Sequence, residues 1–281
     1  MKHLIDITDF TVEEVQEVLD LADDILADRS RYAERLRGKI LATLFFEPST
    51  RTRLSFESAM LSLGGSVLGF SSADSSSTSK GETVSDTIRT VGCYCDIIAM
   101  RHPKEGAPMA VCGKSPVPII NAGDGGHNHP TQTLTDLLTI RREKGRLDHL
   151  TIGMCGDLKF GRTVHSLMNA MSRYAGVKFV LISPPELRVP EYLTRSLKDQ
   201  GIPFTEVETM EEVMPQLDIL YMTRVQKERF FNEADYIRLK DTYILTPEKL
   251  KDPPPRRCIM QPQPPVKENY PQVDDATPAN Y

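Results

Sequence analysis

The segment Phe46-Glu-Pro-Ser-Thr-Arg-Thr-Arg53 gathers hydroxyl and guanidinium groups at what reads as the start of a helix. The apolar run 39–46 has the make-up of a strand, the chain turns at Pro48, and Ser49, Thr50, Arg51 and Thr52 follow. Free backbone N–H groups and the helix dipole favour an anion at such a place. Two hydroxyls and a guanidinium in the same turn add donors suited to phosphate oxygens. The same residues also read as an ordinary Ser/Thr helix cap followed by solvated arginines. Taken by themselves they leave both readings open.

A second segment, Asn121-Ala-Gly-Asp-Gly-Gly-His-Asn-His-Pro-Thr-Gln-Thr-Leu-Thr-Asp136, follows another strand-like run. Gly123, Gly125 and Gly126 allow sharp backbone turns, and Pro130 suits the first position of a helix. The loop would present His127, His129 and Gln132 at the carboxyl end of a strand, where open α/β sheets bind ligands. His127 and His129 have no acidic third ligand spaced for a metal, so no metal site is expected. Cys93, Cys95, Cys112, Cys155 and Cys258 form no Cys-x-x-Cys pair. They read as small apolar residues of a reducing compartment, with neither a zinc site nor a nucleophile among them.

The elements that must hold these segments alternate. A helix is expected over 11–36, a strand over 39–46, a helix over 51–64 and a strand over 66–70. A polar, serine-rich loop spans 71–79. A helix over 81–94 and strands over 95–101 and 116–123 follow, then a long helix from Pro130 to Lys144. The pattern restarts with a strand at 149–157, a helix at 162–175, a strand at 178–184 and a helix at 189–201. It continues with a strand at 203–208, a short helix over Met210–Met214 and a strand at 217–223. Repeated β-α-β order predicts an α/β fold of two domains, each a mostly parallel sheet flanked by helices. The expected division is 1–130, an interdomain helix 131–148, a second domain 149–250 and a proline-rich, irregular tail 251–281.

With 281 residues, 40% hydrophobic and 26% charged, the chain can bury sizeable cores. No apolar stretch of about 20 residues is present, so no membrane span is expected. The acids in MKHLIDITDF do not suit a signal peptide, which makes a cytoplasmic protein the default. A net charge of −5 argues against nucleic acid as a partner, while leaving room for a locally cationic cleft. The second domain lacks Gly-x-Gly-x-x-Gly after its first strand, and no nucleotide or other cofactor is expected.

The two segments together resemble the carbamoyltransferase family. Ser49-Thr-Arg-Thr-Arg53 is similar to its carbamoyl-phosphate signature, and His129-Pro-Thr-Gln132 to its family-wide helix start. Phe45-Phe46-Glu47-Pro48 and Tyr221-Met-Thr-Arg-Val-Gln-Lys-Glu-Arg229 are similar to the aspartate branch. The Ser-Met-Gly type motif and the late cysteine loop expected of the ornithine branch do not occur. The resemblance runs from residue 1 to about 250.

The resemblance implies a transfer of the carbamoyl group from carbamoyl phosphate to L-aspartate, in pyrimidine biosynthesis. Ser49, Thr50, Arg51 and Thr52 would hold the phosphate, and Arg101 the phosphate and carbonyl oxygens. His129 would donate to the carbonyl oxygen, and Gln132 would fix the carbamoyl nitrogen with backbone groups of Pro262 and Gln263. Arg162, Arg224 and Gln226 would bind the aspartate, joined by Lys80. Lys80 and Ser77 would reach into the site of a neighbouring subunit, which implies a homotrimer with shared sites. Arg51, Thr52, Lys80, Arg101 and His129 would carry the catalysis. Glu47 and Glu228 would pair with arginines across the domain gap in a closed state. A separate regulatory chain is a further candidate partner on which the residues are silent.

One stretch departs from the family. Met260-Gln-Pro-Gln-Pro-Pro-Val266 stands where the family has His-Pro-Leu-Pro-Arg, and the family's final helix has no counterpart here. This raises an alternative, a relative that keeps ligand binding and trimer contacts without turnover. A transferase acting on another amine is disfavoured by Arg162, Arg224 and Gln226, which suit a dicarboxylate.

Overall fold

The computed structural model describes residues 1–75, 77–223, 243 and 258–261. The chain divides into two compact units, Met1–Leu134 and Thr135–Tyr281, and the division falls inside a single helix.

In the first unit the strands β1 (Ile40–Phe45), β2 (Ser66–Phe70), β3 (Ile97–His102) and β4 (Ile119–Asp124) form one parallel sheet in the order β2-β1-β3-β4. The helix α1 (Val12–Ala27) precedes the sheet. The helices α2 (Thr50–Ser62), α3 (Val84–Val91) and α4 (Ala107–Cys112) supply the crossovers that parallel strands require. Alternation along β1 sorts its side chains onto two faces. Ala42, Leu44 and Phe46 pack with Ile88, Ile98, Met100, Val111 and Ile119, while Leu41 packs with Met60 and Ala99. Burial on both faces explains why β1 and β3 read as almost unbroken apolar runs.

In the second unit the strands β5 (Thr151–Cys155), β6 (Lys178–Ile182), β7 (Phe204–Val207), β8 (Ile219–Met222) and β9 (Cys258–Met260) form a parallel sheet in the order β7-β6-β5-β8-β9. The helices are α5 (Pro130–Lys144), which begins in the first unit, α6 (Arg162–Met171) and α7 (Glu191–Asp199). Cys155, Val180, Ile182, Met210, Leu217, Leu220 and Met222 form a core on one face. In both sheets the strand order reverses once, between β1 and β3 and between β5 and β8. The carboxyl ends of those strand pairs are the switch points at which such sheets take ligands.

Three expectations are corrected. The helix expected over 11–36 ends at Ala27, because the Asp28 carboxylate accepts from the Ser30 N–H at 3.0 Å and starts a 3-10 turn, Arg29–Tyr32. Met210–Met214 is a turn leading into the 3-10 turn Met214–Gln216, where Pro215 has no N–H for a longer helix. The proline-rich stretch contributes a strand, β9, whose Ile219↔Cys258 pairing extends the sheet. Among the described residues no helix is long and apolar enough to cross a membrane.

The N-terminus of α1 is closed by a reciprocal cap. Thr11 Oγ1 accepts from the Glu14 N–H at 3.2 Å, and the Glu14 carboxylate accepts from the Thr11 N–H at 2.8 Å. Thr11→Ala is expected to lower the unfolding free energy by about 1 kcal/mol. Urea unfolding would show an earlier midpoint at unchanged slope.

Candidate functional site

The loop after β1 leads into α2, and Ser49 is the residue before the helix. Its hydroxyl makes no capping bond to the helix, which weakens the reading of this turn as an ordinary cap. Ser49 and Thr52 are half-buried, Thr50 and Arg51 are exposed, and no acid lies in the first turn. The next arginine differs in kind. Arg53 Nε donates to Glu57 at 2.7 Å within α2, and Glu57 also accepts from the Thr43 hydroxyl at 2.9 Å, so Glu57 ties α2 to β1 and Arg53 holds Glu57.

Beside this turn, across the switch point, stands Arg101 at the end of β3; its backbone carbonyl accepts from the Phe46 N–H at 2.9 Å. The side chain is 10% exposed, its Nη1 donates to the Ala122 carbonyl at 3.3 Å, and its Nη2 lies 2.9 Å from a Glu47 carboxylate oxygen. The buried Nε has no hydrogen-bond partner among the described residues. Burial pulls the guanidinium below its usual pKa, and Glu47 beside it opposes that. A buried cation with an unfilled donor is costly unless an anion completes it. Glu47, expected to pair across the domain gap, here rests on an arginine of its own unit.

Gly123 (φ +111°) brings Arg101 and His129 together. A Cβ there would stand 2.8 Å from Arg101 Nη1 and 3.4 Å from His129 Cδ2. His129 is buried, and its Nδ1 lies 3.4 Å from the Gln132 N–H in the first turn of α5. An N–H can only donate, so Nδ1 accepts, and in the neutral ring the proton sits on Nε2. The imidazole is thus set to present an N–H donor. His127 is directed elsewhere, with Nδ1 3.2 Å from the Asp124 carboxylate.

A buried carboxylate that no local motif marks holds this loop. Asp124, 1% exposed, accepts from the N–H groups of Gly106 (2.8 Å) and Asn128 (2.9 Å) and from the Asn121 amide (3.1 Å). Asn128 in turn donates to Asp6 at 2.6 Å. Gly123, Gly125 and Gly126 mark a turn in the sequence, but not the buried carboxylate that anchors it.

In the second unit Arg162 is half-buried and opens α6, after the loop that follows β5. The Asp157 carboxylate accepts from the Phe160 N–H at 3.0 Å, and the Leu158 carbonyl accepts from His165 Nε2 at 2.8 Å. The Thr223 hydroxyl lies within reach of the carbonyls of Cys155 (3.1 Å) and Asp157 (3.3 Å), which fastens the end of β8 to this loop. These supports were also missed, since only the folded sheet brings Thr223 to Cys155. Ser77–Lys80 is a 3-10 turn with Lys80 exposed. Arg224, Gln226, Glu228, Pro262 and Gln263 lie outside the described residues. Among those described, no group of three or more His, Cys, Asp or Glu side chains could hold a metal.

Two family models match the chain. Residues 2–142 match the carbamoyl-P binding domain of aspartate/ornithine carbamoyltransferase, and residues 148–280 its Asp/Orn binding domain. Among curated proteins, the aspartate carbamoyltransferase catalytic subunit of Lachnoclostridium phytofermentans is 63% identical, over 100% of this chain and 92% of its own length. That of Clostridium acetobutylicum is 62% identical with the same coverage. Among solved structures, the catalytic subunit of M. jannaschii aspartate transcarbamoylase has a TM-score of 0.91 at 47% identity, covering 100% of this chain and 92% of that one. The Trypanosoma cruzi aspartate transcarbamoylase in complex with N-(phosphonacetyl)-L-aspartic acid gives 0.92 at 35% identity, over 100% and 90%. On sequence, fold and motif alike, the chain belongs to the aspartate/ornithine carbamoyltransferase family, as an aspartate carbamoyltransferase catalytic chain.

Proposed function

We propose that this chain transfers the carbamoyl group from carbamoyl phosphate to L-aspartate with the residues described above. The observation that carries the assignment is Arg101, a buried guanidinium with an unfilled Nε, next to the donor-presenting His129 and across the switch point from the α2 turn. The aspartate amine attacks the carbonyl carbon, and negative charge gathers on the carbonyl oxygen. His129 Nε2–H and Arg101 stabilise that charge. The C–O bond to phosphate then breaks, and Ser49, Thr50, Arg51, Thr52 and the α2 N–H groups hold the departing phosphate. The amine proton leaves with the phosphate. No enzyme nucleophile is needed, so the work of the site is orientation and charge stabilisation.

Gln132, with the backbone of Pro262 and Gln263, is assigned to the carbamoyl nitrogen. Arg162, Arg224 and Gln226 are assigned to the two carboxylates of aspartate, for which forked guanidinium donors are suited. Lys80, exposed on its loop, and Ser77 are assigned to a neighbouring subunit's site in a homotrimer. Glu47 and Glu228 are assigned to pairing with arginines across the domain gap in a closed state. A separate regulatory chain remains part of this reading through the relatives' name, catalytic subunit.

The test is carbamoyl-aspartate formation by the purified chain, with L-ornithine as control acceptor. Aspartate-dependent turnover is expected, and folded protein that forms no product would overturn the assignment in favour of a binding-only relative. Arg162→Ala is expected to raise the half-saturating aspartate concentration roughly 10²–10³-fold, the loss of one side of a charge-assisted pair. Carbamoyl-phosphate saturation should change little.

A further inference from the structure

Tyr221 on β8 and Asp136 on α5 form a polar contact that the assigned chemistry does not use. Both are buried, Tyr221 at 0% exposure and Asp136 at 4%. Alternation along β8 turns Leu220 and Met222 into the apolar core and leaves Tyr221 on the opposite face. There its hydroxyl donates to an Asp136 carboxylate oxygen at 2.9 Å, and Thr163 also hydrogen-bonds it. A buried phenol paired with a buried carboxylate is conspicuous, because replacing both by apolar groups would be a simpler way to fill the space.

The covalent neighbours of this contact suggest its use. Thr163 directly follows Arg162, Tyr221 lies three residues before Arg224, and Asp136 lies four residues after Gln132. One hydroxyl therefore joins the start of α6, the end of β8 and the body of α5. Thr223, on the same strand end, is separately fastened to the loop after β5.

We propose that Tyr221 and Asp136 are positioning residues for the acceptor carboxylates, fixing the start of α6 that delivers Arg162. The proposal rests on the assignment of Arg162 to aspartate. Loss of the hydroxyl would loosen the placement of Arg162 without removing its charge. Acceptor binding should suffer while the phosphate-binding turn of the first unit does not.

The experiment is steady-state kinetics of the full chain carrying Tyr221→Phe, with each substrate varied in turn, alongside thermal unfolding. KM for aspartate is expected to rise about tenfold, in line with one buried hydrogen bond to a charged group, with kcat reduced less. KM for carbamoyl phosphate should stay within about twofold. Asp136→Asn keeps an acceptor for the hydroxyl and should stay within about threefold of the parent, whereas Asp136→Ala should match Tyr221→Phe. Tyr221→Phe combined with Asp136→Ala should be no worse than either alone. An unchanged aspartate KM, or equal rises for both substrates with a lower melting temperature, would overturn the proposal and leave the pair a structural contact. Arg162→Ala separates the two levels: if it leaves aspartate saturation unchanged, the arginine assignment itself fails, whatever Tyr221→Phe does.

Discussion

Arg101→Ala is expected to lower kcat/KM by roughly 10³–10⁵-fold, the range for losing an arginine that faces a transferring phosphoryl group or a developing oxyanion. The guanidinium is nearly enclosed and holds Glu47 at 2.9 Å and the Ala122 carbonyl at 3.3 Å. Its Nε has no hydrogen-bond partner among the described residues. The fold should survive the change, because the Glu47 side chain is 33% exposed and removal of the guanidinium opens its buried Oε2 to water. Circular dichroism and thermal unfolding would establish that survival, and initial rates with both substrates would give the loss. Arg101→Lys should recover little, since an ammonium restores charge but not the planar fork. A folded Arg101→Ala protein within about tenfold of the parent would remove Arg101 from the chemistry.

Gly156→Ala is expected to be the most damaging single methyl in the second unit. The residue has φ +114°, and an added Cβ would stand 2.2 Å from the Thr223 backbone carbonyl oxygen and 2.8 Å from its hydroxyl. Neither neighbour can retreat, because that hydroxyl already reaches the Cys155 and Asp157 carbonyls. Backbone strain and overlap together should cost more than about 4 kcal/mol, a large part of typical domain stability. The expected result is loss of soluble protein or a collapse of the denaturant midpoint. Gly38→Ala is the matched control, with φ +77° and open space around the added methyl. It should cost only about 1–2 kcal/mol. If the two variants unfold together, packing at Thr223 does not limit this loop.

The strongest periodic signals translated directly. The apolar runs became the central strands, and the expected helix from Pro130 to Lys144 is α5 with those bounds, because Pro130 fixes its start. α4 was missed. It is six residues long, contains a proline, and lies in Glu-Gly-Ala-Pro-Met-Ala-Val-Cys, where no helical stripe can show. The need for a crossover between β3 and β4 was the signal that could have found it. β9 was hidden for the opposite reason. Cys258-Ile-Met260 is too short to stand out among prolines, and it is a strand because β8 offers it an edge.

The candidate site divides along a similar line. Arg51, Arg101, His129 and Arg162 stand in short motifs at the ends of strands, so the family resemblance could single them out as candidates. The residues that hold them stand in contacts of long range. Asp124 meets Gly106, Asn128 meets Asp6, and Tyr221 meets Asp136. Spacing along the chain carries no trace of such pairs.

The strand orders also dictate when each sheet can close as the chain is made. All four strands of the first sheet lie within residues 40–124, so that sheet can assemble while the remainder is still being synthesised. The second sheet cannot. β8 ends at Met222, while its outer neighbour begins only at Cys258. During translation Ile219-Leu-Tyr-Met222, four consecutive buried residues, must wait with one edge unpaired. Late closure of a parallel sheet is slow, and an open apolar edge is prone to join another chain. The interval between the synthesis of β8 and of β9 is therefore one in which the newly made chain carries an open edge at β8.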